Sequence, residues 1–284
     1  VSRLFDDAKL YWHYGVRIPD NVILPNSASP IYLDRHESRG RALLIGHARG
    51  QAALKRIWHQ ANCKMRPDYV LDIGANYGEF MFGERYPSAK QVIGVEANPA
   101  LRPWLEKSAK EHPDCDKIMF EFAIAAAASG QSHDFFVDPT WSGRSSAVRL
   151  DGLETVRVQV KSVCVDELFS TICLEGMSVL FKIDVEGYES FVISGMHRLL
   201  SESAHVFGFL EFNDELIARS GADPNQLLGV LGKRCTLAAI GDDGHFSILE
   251  TPTLESLREI LQSEKIETNL AVLSSPSMVT FLEE

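Results

Sequence analysis

The chain has 284 residues, 45% hydrophobic and 24% charged, enough to bury one large α/β core, and no linker-like stretch divides it. Its net charge of −11 argues against a duplex nucleic-acid surface, which needs clustered Lys and Arg, so a small or glycan-like partner is expected rather than nucleic acid. No apolar run reaches membrane-span length, the first residues lack a signal-peptide core, and Cys63, Cys115, Cys164, Cys173 and Cys235 form no C-x-x-C pair. A reduced cytoplasmic protein is expected, without a membrane partner, disulfide framework or zinc site; nothing indicates an oligomeric state.

Residues 1–68 read as an N-terminal appendage placed to act as a substrate lid, and residues 69–284 as the main domain. The appendage carries loops and one helix at about 48–60, where Ala53, Leu54, Ile57, Trp58 and Ala61 make a core-facing stripe. From Tyr69 strands alternate with helices: strand 69–73, helix 78–86, strand 91–96, helix 99–112, strand 117–123. That series predicts right-handed βαβ units and a parallel sheet. Residues 124–168 interrupt it with an irregular insertion, a β-rich VRVQVKSV and a turn of helix at 165–169, the kind of insertion that builds substrate pockets. The alternation then resumes with strand 178–184, helix 188–200, strand 205–213, helix 223–232 and strand 235–240. A turn at 241–244, a short strand, a helix at 254–262 and a strand at 269–274 complete the chain.

The first strand ends in VLDIGANYGEF, an apolar run that closes on Asp72 and opens into a loop with Gly74 and Gly78. Glycines there would let a ligand lie against the backbone, with Ala75, Asn76 and Tyr77 between them. The dinucleotide pattern G-x-G-x-x-G fails, because Asn76 and Glu79 stand where glycines belong, and Gly83-Glu84-Arg85 is no Walker ending. Glu96, closing the next apolar run just before Ala97, is placed to accept hydrogen bonds from two ribose hydroxyls. An adenosine ligand without a pyrophosphate meets both conditions, and S-adenosylmethionine fits.

Three blocks, VLDIGANYGEF, YPSAKQVIGVEANP and VLFKIDVEGYESFVISG, resemble in order and spacing the signatures of the FkbM family of S-adenosylmethionine-dependent methyltransferases, over roughly residues 65–275. The resemblance implies a Rossmann-like class I methyltransferase fold: a mostly parallel seven-stranded sheet, its last strand antiparallel, with helices on both faces. It also implies O-methylation of sugars or secondary metabolites such as polyketides. Ser145 and Ser146 sit where the family has a polar loop near the cofactor.

The strand VLFKIDVEG carries the candidate chemistry. Alternation puts Lys182 and Asp184 on one side, and Asp184 at the carboxyl end where open α/β sheets bind ligands. They either brace the loop as an ion pair or serve as catalytic groups with Glu186, which otherwise favours the next helix's positive end. IDVEGYE lacks the [DNS]-P-P-[FYW] loop typical of amino-methylating enzymes, so a hydroxyl is the expected acceptor. Its proton would pass to Asp184 or to a histidine such as His36 or His133, whereas His197 and His205 are structural. In the alternative, a divalent metal held by Asp184 with Glu211, Asn213 or Asp214 would acidify the hydroxyl; it is allowed but not expected. Trp141 is placed to stack on adenine or a sugar. Ala123 and Ile124, at the end of FEFAIA, offer adenine only backbone groups. A noncatalytic cofactor-binding module and a nucleic-acid methyltransferase are the rival readings; the Asp72, Gly74, Gly78, Glu96 set disfavours the first, and the acidity and missing proline loop the second.

Overall fold

Period-two alternation along the strands sorts the apolar side chains into two cores, one on each face of a central sheet. The computed structural model describes residues 2–150 and 152–283. The appendage holds α1 (Ser2–Tyr14), the hairpin β1 (Asn21–Ile23) and β2 (Pro30–Tyr32), α2 (Ser38–Gly46) and α3 (Ala52–Met65). Then come β3 (Tyr69–Ile73), β4 (Gln91–Val95), α4 (Arg102–Glu111) and β5 (Ile118–Glu121). The insertion contributes β6 (Ile124–Ala125), β7 (Ser132–Val137), β8 (Val156–Val163) and α5 (Val165–Leu168). The remainder is β9 (Ser178–Ile183), α6 (Glu189–Ser194), α7 (His197–Glu202), β10 (His205–Asn213), α8 (Asp214–Arg219) and α9 (Pro224–Gly232). It ends with β11 (Thr236–Ile240), β12 (Phe246–Ile248), α10 (Leu254–Leu261), β13 (Glu267–Leu273) and α11 (Ser277–Glu283).

The central sheet runs β12-β11-β13-β10-β9-β3-β4-β5. Strands β5, β4, β3, β9 and β10 are mutually parallel, and β13 inserts antiparallel between β10 and β11. Seven strands thus match the expected Rossmann-like class I methyltransferase arrangement. The eighth, β12, is the short strand after the Gly241–Gly244 turn, which doubles back antiparallel on β11. Val70, Leu180, Phe207 and Phe209 face α3, α4 and the appendage, while Leu71, Phe181, Ile183 and Leu210 face the helices from α5 to α10. The insertion forms a second sheet, ordered β6-β8-β7.

Three expected helices differ. The predicted helix 78–86 is a run of turns, because Asn76 and Gly78 both take positive φ (52° and 79°) and Asp72 accepts the Met81 N–H at 3.2 Å. The helix expected over 188–200 breaks into α6 and α7 at Gly195, where a Cβ would lie 2.3 Å from the Ala126 carbonyl. The appendage helix starts later than expected, since Ala48 and Gln51 are left-handed (φ 52° and 55°). Its stripe behaves as read: Leu54, Ile57, Trp58 and Ala61 are buried.

Trp58 fastens the appendage to the sheet. Its indole N–H donates to Tyr86 Oη at 3.1 Å, and its ring meets Phe80 edge-on at 5.7 Å and Phe209 at 6.0 Å. Trp58→Ala removes a fully buried indole, so unfolding free energy in a urea titration should fall by about 3–5 kcal/mol. A loss below about 1 kcal/mol would contradict a packed appendage.

Candidate functional site

Asp72 and Lys182 are register partners on adjacent parallel strands, and both project from the face that the appendage covers. An ammonium inside that apolar face needs counter-charge. The Lys182 Nζ lies 3.0 Å from Asp184 Oδ2 and 3.7 Å from Asp72 Oδ1, and sits 5.5 Å from the Phe80 ring centre. Burial works against its charge, but Asp184 and Asp72 more than offset this and raise its pKa. Asp72 is buried and pushed up to about 6 by desolvation, which Lys182 only partly opposes. Asp184, 27% exposed, is held ionised against the effect of burial by Lys182 and by a hydrogen bond with Glu211. Glu211, from β10, is pushed well up by Asp184 and by burial. Asp184, Glu186 and Glu211 bring carboxylate oxygens within 4.8 Å of one another.

At the end of β3, Gly74 has φ 77°, and a Cβ there would lie 1.8 Å from the Asp184 carbonyl oxygen. Its missing side chain makes room for the Asp184 carbonyl at the end of β9, and Gly74 itself lines the cleft. Gly78 likewise makes room for the Phe82 ring. The loop is clamped by Glu96, whose Oε2 accepts the Asn76 N–H and whose Oε1 accepts the Asn98 N–H, both at 2.7 Å. Burial raises Glu96 to about 7 despite these two bonds.

After β9 the chain turns through Glu186 (φ 53°) and Gly187 (φ 98°). Glu189, the first residue of α6, holds this turn by accepting the Val185 and Gly187 N–H groups, and Ser146 donates to the Glu186 carbonyl at 2.7 Å. Glu186 is pushed up to about 8 by burial and by Asp184 and Glu189, and Glu189 to about 7 chiefly by burial.

These elements border a cleft of about 220 Å3 that is open to solvent. Of the residues singled out in the sequence, Gly74, Asn76, Glu96, Ala97, Ala123, Ile124, Trp141, Ser145, Asp184, Glu186 and Glu211 line it. Asp72 and Lys182 stand behind Asp184, while Ala75 and Tyr77 are core residues, Tyr77 donating from its hydroxyl to Glu37 at 3.1 Å. Asp214 does not join the acids: its carboxylate meets Arg258 at 3.3 Å and accepts the Ile266 N–H at 3.2 Å, and Glu186 takes its place. Asn213 caps α8. His36 is exposed, and His133 sits behind Tyr188, 3.5 Å from its hydroxyl. One end of the cleft is apolar, formed by Ala123, Ile124, Phe135 and Ala147; Asp184, Glu211 and Arg39 make the other end charged.

Arg39, Gln51, Ser142 and Tyr188 line the cleft without having been singled out. Arg39 sits in the first turn of α2, whose cap is Glu37, a residue type that does not advertise a helix start. The Glu37 carboxylate accepts the N–H groups of Arg39, Gly40 and Ser142 and so ties the appendage to the insertion.

The sequence matches the model of the methyltransferase FkbM domain over residues 72–248. The chain belongs to the FkbM methyltransferase family. Residues 72–248 contain every acid of the cleft and exclude Arg39 and Gln51. Among solved structures, this FkbM-family chain is similar to the methyltransferase FkbM from Methylobacillus flagellatus KT, with 14% identity over 73% of this chain and 44% of that one (TM-score 0.41). It is also similar to an O-methyltransferase from Bacillus cereus in complex with SAH, with 9% identity over 80% and 82% of the two chains (TM-score 0.41). A third is the N-methyltransferase NodS from Bradyrhizobium japonicum WM9, with 11% identity over 80% and 99% (TM-score 0.41). No curated protein matches the sequence. Among the described residues no helix is long and apolar enough to cross a membrane.

Asp72, Glu96, Glu186 and Glu189 all bind their protons more tightly in the folded than in the unfolded chain. Their contribution is therefore complete below the ordinary carboxylate range and is lost as pH rises through about 6 to 8. Denaturation midpoints should fall over that window, and Glu186→Gln should flatten the upper part of the slope. An unchanged slope in Glu186→Gln would show that Glu186 ionises freely.

Proposed function

We propose that this FkbM-family protein is an S-adenosylmethionine-dependent O-methyltransferase acting on a hydroxyl of a sugar or secondary metabolite. The observation that carries the reading is the arrangement of the cleft: Glu96 after β4 and Asp184 after β9 stand on either side of the Gly74 turn that ends β3, and the apolar Ile124, Phe135 and Ala147 line the same cleft. The donor set fits such a ligand. Each Glu96 oxygen accepts one backbone N–H and keeps a lone pair for a ribose hydroxyl. Ala123, Ile124 and Phe135 give adenine an apolar slot, and Ala97 flanks the ribose acid. No basic cradle for a pyrophosphate is present among the cleft residues described.

When bound, the cofactor supplies an electrophilic methyl group on a sulfonium. The protein's part is alignment and the removal of one proton. Asp184, fixed by Lys182, would accept a hydrogen bond from the acceptor hydroxyl and take its proton. A carboxylate held ionised is a weak base. It suffices because the hydroxyl proton becomes strongly acidic as its oxygen turns into an ether. Glu211 and Glu186 flank Asp184. The appendage (residues 1–68), through Gln51, and the insertion (residues 124–168), through Trp141, Ser142 and Ser145, wall the acceptor side and set acceptor choice.

The proximity of Asp184, Glu186 and Glu211 favours one second reading, a divalent cation that acidifies the hydroxyl. Against it, Lys182 already supplies Asp184 with a positive charge. A chelator should leave activity intact on the first reading and abolish it on the second, with magnesium or manganese restoring it.

Two variants test the site. Glu96→Ala should weaken S-adenosylhomocysteine binding by about 2–4 kcal/mol in calorimetry, and unchanged affinity would sink the ribose assignment. Asp184→Asn should cut methyl transfer to hydroxyl acceptors in a metabolite extract, followed with labelled cofactor and mass spectrometry, by about 100-fold or more. Cofactor affinity should change far less. Full turnover in Asp184→Asn would leave Asp184 only a bracing role.

A further inference from the structure

The cleft offers acids in surplus and one base. Of its described lining residues Glu96, Asp184, Glu186 and Glu211 are acidic, and Arg39 alone is a lysine or arginine. On the cofactor reading above, the ligand brings an ammonium and a sulfonium, which acids attract, and a carboxylate, which they repel. That carboxylate needs a cation within the cleft.

Arg39 has charge to spare. Its guanidinium donates to Glu79, whose other oxygen accepts from Lys55 at 2.9 Å, so one buried carboxylate faces two cations. Lys55 is used up by structure, since it also donates to the Ala48 carbonyl at 2.5 Å and so pins the left-handed His47–Ala48 turn behind α2. Arg39, 28% exposed, keeps donors beyond the one bonded to Glu79, because a guanidinium has five. Its position is fixed by Glu79 and by Trp141, whose ring centre lies 6.0 Å away, and its charge reaches Asp184, which it helps hold ionised. A guanidinium gripped on one edge and open on the other is arranged for a second carboxylate.

We infer that Arg39 binds the carboxylate of the cofactor's amino-acid portion and thereby sets the ligand's direction, amino acid toward α2 and adenine toward Ala123 and Phe135. The inference rests on the cofactor reading of the cleft. It gives the appendage, which lies outside residues 72–248, a share in cofactor binding.

Calorimetry with two probes separates the possibilities. S-adenosylhomocysteine carries the carboxylate, and 5′-methylthioadenosine has the same nucleoside without the amino acid. Arg39→Gln should weaken S-adenosylhomocysteine about 10- to 100-fold and leave methylthioadenosine within about twofold, the latter also showing that the variant is folded. Arg39→Lys, which keeps the charge but not the fork, should fall between. Equal losses for both probes would make Arg39 a wall of the pocket, and no loss for either would remove it from the site; each overturns the inference alone. Failure of the wild-type protein to bind either probe would overturn the cofactor reading with it.

Discussion

A buried ammonium fixes the working end of this sheet. Lys182 is 10% exposed on the face covered by the appendage, and it can be charged there only because Asp72 and Asp184 stand beside it. Each partner then governs a separate element. Asp72 uses its second oxygen to hold the Met81 N–H, which shapes the run of turns after β3. Asp184 carries its charge into the cleft and raises the pKa of Glu211. Removing the lysine would leave two acids facing an apolar core, so the ion pair has a structural part to play whether or not Asp184 takes a proton.

A second acid performs the corresponding task between segments far apart in the chain. Glu37 caps α2, accepts from Tyr77 in the first loop and accepts from Ser142 in the insertion. Appendage, signature loop and insertion therefore meet at one carboxylate beside the cleft. Ser38 adds a backbone bond to the Thr140 carbonyl at 3.0 Å. The appendage is thus a wall of the cleft packed onto the same core as β3, β9 and β10.

What could be read from the sequence follows from how local each signal is. Strands β3, β4, β9 and β10 were visible as apolar runs ending in acids or turn residues, and β10 appears over the 205–213 read from its pattern. Glu96, Asp184 and Lys182 were legible because a charge on an apolar strand demands a partner. The turns after β3 were misread as a helix because Asn76 at φ 52° and the Asp72–Met81 bond are tertiary facts that helical spacing cannot report. Gly74 lines the cleft, but that its missing Cβ also admits the Asp184 carbonyl is a tertiary fact no loop pattern reports. Arg39 and Gln51 were invisible because neither belongs to a motif and both reach the cleft only when the appendage packs on the sheet. Asp214 looked equivalent to Glu211 until Arg258, from α10, claimed it.

The acidity of the cleft bears on how the proposed reaction would be driven. Acids that hold a sulfonium stabilise the cationic reactant, and that charge disperses as the methyl group leaves, so four ionised carboxylates would lower the ground state more than the transition state. The structure limits that penalty. Glu96 and Glu186 are raised to about 7 and about 8, and Glu211 is raised by Asp184 and by burial, so these acids carry less negative charge than free carboxylates would. Asp184, kept ionised by Lys182, is the cleft acid best placed to carry a full charge.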